Sequence, residues 1–152
     1  MRRFRFRLQA VLDHAHRLEE AAELALAALA AERQRMQEEL GKLERQRRET
    51  ERELAARQLG RLDLERIRVL RAHLEHTCTR IVEQLLAIQE QEGKMELARA
   101  ELVARMKRRQ VLERLRSEQW SRHRQQEQAR ESRELDELSS TRYARQALGA
   151  GT

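Results

Sequence analysis

Residues 65–102 read ERIRVLRAHLEHTCTRIVEQLLAIQEQEGKMELARAEL, and within them Ile67, Leu70, Leu74, Thr77, Ile81, Gln84, Ile88, Gln91, Met95, Ala98 and Leu102 recur at alternating spacings of three and four. That rhythm is the seam of a coiled-coil helix, because a period near 3.5 keeps every such position on one face. It resumes at Leu112. Gly93 interrupts it at a cost of about 1 kcal/mol relative to alanine, too little to end so long an amphipathic helix. A second seam lies earlier in the chain: Leu8, Val11, Ala15, Leu18, Ala22, Ala25, Leu29, Met36 and Leu43, weakened by Glu32 and Glu39. Leu12, Leu26, Leu40 and Leu54 stand beside this one at 14-residue intervals and broaden the stripe, so both sets are expected to face one partner.

Between the seams the pattern lapses from Ala55 to Leu64, a stretch holding Gly60 and Asp63 and the place for a reversal. Two such helices joined by a short link bury their stripes most simply against each other. The expected fold is therefore all-α, a long two-helix antiparallel coiled-coil hairpin. Its parts are a helix over about 5–58, a turn over about 59–64, a helix over about 65–145 and a frayed tail 146–152, all in one domain, 1–152. With the turn centred near Arg61, residue i faces roughly residue 122 − i. Residues past about Trp120 then lack a partner, which leaves an overhanging C-terminal helical arm.

Composition agrees. The 152 residues include no proline and five glycines, and only 3% are aromatic, so the mixed core of an ordinary domain is excluded. Ala, Leu, Glu, Lys and Arg supply 98 of the 152 positions, which marks a long-helix composition. The longest apolar run, Leu24 to Ala31, is far short of the roughly 20 residues that span a bilayer. The arginine-rich start lacks the apolar core of a secretory signal, and the lone Cys78 allows no internal disulfide. These features lead to the expectation of a cytosolic protein.

The net charge of +6 is unevenly spread. Residues 1–7 carry four arginines and no acid, while 105–124 carry eight basic residues against Glu113 and Glu118, hence +4 and +6. The hairpin brings these segments together, so about +10 gathers at the open end and the remainder sums to −4. An acidic or polar protein socket, nucleic acid, or a membrane surface reached through Phe4 and Phe6 would each fit such an end. Interleaved acids elsewhere and the scarcity of stacking aromatics weigh against nucleic acid.

Chemistry beyond charge is sparse. His73, His76 and Cys78 do not share one helical face, and the facing segment adds Glu44, Glu49 and Glu51 but no histidine, so no metal is expected. Cys78 is expected to pack partly beside the seam. No phosphate loop, nucleophile context or catalytic pairing of His14 or His16 is present, so no catalytic residue and no cofactor are expected and the chain reads as a non-enzyme. Trp120, the single tryptophan, falls where the partner helix has run out and reads as an interface anchor, joined by Leu135, Leu138 and Tyr143 on the arm.

Three segments resemble a known family. The opening Phe4-Arg5-Phe6-Arg7-Leu8-Gln9-Ala10-Val11-Leu12 resembles the FxFRLQxLL start of the flagellar type III export family FliJ. Lys107 to Leu115 is similar to that family's KxLEKL-type segment, and Glu134-Leu135-Asp136-Glu137-Leu138-Ser139, followed by Arg142, to its ending. The resemblance spans nearly the whole chain.

It implies a coiled coil like that of the rotary ATP synthase gamma subunit. Such a protein acts as a central stalk that binds and stimulates the hexameric export ATPase FliI, contacts the cytoplasmic domain of the export gate protein FlhA, and meets export chaperones. It implies a cytoplasmic protein, peripheral at the inner-membrane export apparatus. Carried over by the heptads flanking the turn, the family's gate-contacting surface falls on Glu39, Leu43, Gln46, Thr50, Arg66, Leu70, His73 and Thr77. In a gamma-like arrangement the end bearing the termini enters the ring, which makes Arg2, Arg3, Arg5, Arg7, Arg105, Lys107, Arg108 and Arg109 the expected ATPase contacts. The alternatives are a YscO-like injectisome stalk, disfavoured by the FxFRLQ start, and a basic coiled coil that binds nucleic acid.

Overall fold

The computed structural model describes residues 3–149. Among them are two helices and no strand: α1, Gln9–Arg57, and α2, Leu64–Gly149. They pack against each other as an all-α hairpin. Helix formers fill both, and no proline interrupts either. Between them Gly60, three residues past the end of α1, takes φ of +89°, a left-handed conformation in the reversal that a side chain would oppose. Asp63 then opens α2. Its Oδ1 accepts the Arg66 amide at 3.2 Å and its carbonyl accepts the Ile67 amide at 3.1 Å, so the first turn is capped.

The described residues group into two compact units. One takes in Glu19–Ala104, the other 3–18 with 105–149. In the first unit Leu43 and Thr50 of α1 and Leu70, Thr77, Ile81, Ile88, Gln91 and Met95 of α2 are buried. The threonines and glutamines of this seam are satisfied, whereas the buried Nε atoms of Arg33 and Arg47 make no hydrogen bond among the described residues. Thr50 and Thr77 each donate a hydroxyl 2.9 Å to the carbonyl four residues back, on Gln46 and His73. Gln84 and Gln91 reach across instead, donating to the carbonyls of Met36 at 2.8 Å and Leu29 at 3.0 Å. Both bonds place residue i opposite residue 120 − i, close to the expected 122 − i. Ion pairs Arg66–Glu53 and Arg80–Glu39, partly exposed, flank the seam and add little to stability, and the half-buried Arg33 turns its Nε to Glu92 at 3.5 Å.

The α2 seam matches the expected positions throughout. In α1 the seam keeps Ala15 buried and Ala22 and Leu29 half-buried, while its alternate members shift by one residue. Leu12 is 1% exposed while Val11 is 40% and Leu8 38% exposed; Glu19 is buried in place of Leu18, and Leu26 is half-buried while Ala25 is exposed. Moving every second seam position by one residue turns the stripe by about 50°, half the roughly 100° between successive residues, and buries Leu12 and Leu26 in place of the smaller Val11 and Ala25. Cys78 is exposed, not packed beside the seam, because it lies one residue past the buried Thr77.

Helix α1 starts at Gln9, not near residue 5. Residues 3–8 lie outside the helix, and burial alternates along them: Arg3, Arg5 and Arg7 exposed, Phe4 half-buried, Phe6 buried at 6%. Alternating Arg and Phe share out to opposite sides only with a period of two, so this non-helical segment, irregular over 3–6 and a turn over 7–8, turns both rings inward where a helix would set them on different faces. Helix α2 continues to Gly149.

Candidate protein-interaction surfaces

The unit formed by 3–18 and 105–149 holds an aromatic cluster. The Phe4 ring meets Trp120 edge-on, centroids 5.2 Å apart, and His123 at 5.6 Å; Trp120 and His123 stand 6.2 Å apart, one turn of α2 separating them. Trp120 therefore has a partner within its own chain, contrary to the expectation from a helical N-terminus. The non-helical segment ahead of α1 carries Phe4 to a place that the helix reading left empty. The indole remains 49% exposed.

Cations surround this cluster. Over the two sequence segments of this unit, 1–18 and 105–152, seventeen Lys and Arg oppose eight Asp and Glu, a net of +9, whereas 19–104 carries −3. Of the expected ATPase contacts, Arg3, Arg5, Arg7, Lys107 and Arg108 are exposed and pair with no carboxylate among the described residues. Arg105 and Arg109 are half-buried, and Arg109 binds Glu113 at 2.6 Å. Glu113 also receives His16 at 3.3 Å. Arg2 lies outside the described residues. Such a surface attracts anionic partners, with a strength that falls as salt rises.

The eight positions carried over for the gate divide by burial. Leu43, Thr50, Leu70 and Thr77 are 3%, 7%, 5% and 2% exposed, with side chains held inside the seam. Gln46, Arg66 and His73 are exposed and Glu39 is half-exposed, paired with Arg80 at 3.5 Å. Leu135, Leu138 and Tyr143 are 66%, 63% and 79% exposed on a stretch of α2 where every described residue from Gln128 onward faces solvent. What the sequence reading missed is the Phe4–Trp120–His123 contact; the period-two pattern of residues 3–7 was the available signal.

No described helix is long and apolar enough to cross a membrane. Two long helices packed as a hairpin, with no strand among the described residues, make this a coiled-coil protein in class. The chain belongs to the FliJ family: the model described as flagellar FliJ protein matches residues 4–148. Membership makes it a non-enzymatic component associated with the flagellar type III export apparatus. Among curated proteins and among solved structures, nothing matches the chain.

Proposed function

We propose that this chain is the central stalk of the flagellar export machine: a cytoplasmic protein, peripheral at the inner-membrane export apparatus, that binds and stimulates the FliI ATPase ring, links it to the FlhA gate and contacts export chaperones. The observation that carries this reading is the family match over residues 4–148. The charge distribution supports a division of labour. The +9 of the unit bearing the termini, with Arg3, Arg5, Arg7, Lys107 and Arg108 unpaired, suits an acidic lining in the ring. On the unit that contains the turn, Glu39, Gln46, Arg66 and His73 offer the gate-facing side chains, while Leu43, Thr50, Leu70 and Thr77 hold the two helices beneath them.

The test is a pull-down with the purified chain against the export ATPase and against the cytoplasmic domain of the gate, with duplex DNA as competitor. Retention of both proteins in the presence of DNA is the expected result. Binding to DNA alone, weakening steeply with salt, overturns the assignment in favour of a nucleic-acid-binding coiled coil.

A further inference from the structure

Beside the aromatic cluster lies an open groove of about 890 Å³ with Phe4 and Trp120 on its wall. Its acids are already engaged, Glu113 by Arg109 and His16 and Glu127 by Arg130 at 3.5 Å. Its arginines are not: Arg3, Arg116 and Arg124 pair with no carboxylate among the described residues. An apolar wall edged by three unsatisfied cations fits a segment with apolar side chains one helical turn apart and carboxylates around them.

This chain carries such a segment. In Glu134-Leu135-Asp136-Glu137-Leu138 the two leucines are three residues apart, hence on one face, and more than 60% exposed. The carboxylates of Glu134, Asp136 and Glu137 have no cationic partner among the described residues, and Arg130, one turn before Glu134, binds Glu127 instead. The segment cannot reach its own groove. Trp120 and Leu135 belong to one unbroken helix and are held about 22 Å apart along its axis. A second copy with its α2 running antiparallel can supply it, and the exchange is then reciprocal.

We propose that the Phe4–Trp120 groove is covered by Glu134–Leu138 of a second copy, in a twofold dimer made through the C-terminal stretches of α2. Leu135 and Leu138 cover the exposed indole, and the acids face Arg3, Arg116 and Arg124. The proposal goes beyond the stalk reading and does not depend on it, since it requires only this chain.

Sedimentation velocity on the full chain tests it. At low salt a reversible dimer with Kd on the order of 10 μM is expected from so small a contact. The pairs Arg116→Glu with Arg124→Glu, and Glu134→Arg with Glu137→Arg, each weaken it at least about tenfold while far-UV circular dichroism is unchanged. Mixing the two variants in equal amounts restores the dimer, because the reversed charges now oppose each other. A chain monomeric well above that concentration, a dimer indifferent to both charge reversals, or a mixture that stays monomeric overturns the proposal.

Discussion

Leu12→Ala and Val11→Ala, neighbours in sequence, separate the observed register of α1 from the one its apolar spacing favours. Leu12 is 1% exposed and Val11 40%. Truncating a buried leucine removes its transfer energy and leaves a cavity, together about 2–5 kcal/mol; the lower half of that range applies to a two-helix interface, which can close partly, so about 2.5 kcal/mol is expected. Val11→Ala removes two methyl groups that are about 60% buried, roughly 1 kcal/mol, and alanine returns about half of that through higher helix propensity. The net is about 0.5 kcal/mol. Hydrogen exchange over residues 9–20 reads the opening energy where the change is made, so distant parts of the helix do not mask it. Leu12→Ala should accelerate exchange there by about 60-fold and Val11→Ala by about twofold. Equal losses, or the larger loss from Val11, would refute the burial of Leu12 and with it the rotated stripe.

Gly60→Ala and Gly93→Ala should have opposite signs: neither new methyl meets an atom within 4 Å, so only backbone preference acts. The left-handed turn position loses about 1–2 kcal/mol and the helical one gains about 1 kcal/mol, as urea unfolding will show. Gln91→Leu should leave stability within about 1 kcal/mol, because the Leu29 carbonyl lies within α1 and keeps its helical partner, whereas Gln91→Glu places a carboxylate against that carbonyl and should cost about 2 kcal/mol or more in the same assay. Phe4→Ala should shift the emission of Trp120, the single tryptophan, to longer wavelength by uncovering the indole; unchanged emission would contradict the edge-on contact.

The sequence made the two helices, the reversal and the α2 seam legible for one reason. In α2 the three-four spacing from Ile67 to Leu102 runs unbroken through its polar members Thr77, Gln84 and Gln91. The apolar residues off it, Val69, Val82, Leu85, Leu86 and Leu97, form no continuous series, so the period admits one register. In the first turns of α1 two stripes run side by side, Val11 beside Leu12 and Ala25 beside Leu26, and spacing alone cannot rank them; side-chain volume decides, and burial of Glu19 further hides the answer. Residues 3–7 fail differently. Five arginine and phenylalanine residues have no propensity that excludes a helix, and the gain from burying both rings on one side selects a non-helical backbone. The charge asymmetry was legible because it depends on which segments meet, and a hairpin determines that. The contact between Phe4 and Trp120 was not, because it depends on the conformation of those five residues.

The central claim is that the basic unit engages the export ATPase, and stimulation of that ATPase by the chain tests it most directly. Reversing Arg5, Arg7, Lys107 and Arg108 to glutamate takes the unit from +9 to +1 and alters exposed side chains only. At low ionic strength, where steering between opposite charges changes association by about tenfold or more, the reversed chain should stimulate the ATPase far less than the wild type at equal concentration, and added salt should narrow the gap. Stimulation unchanged by the four reversals at low salt would contradict the account.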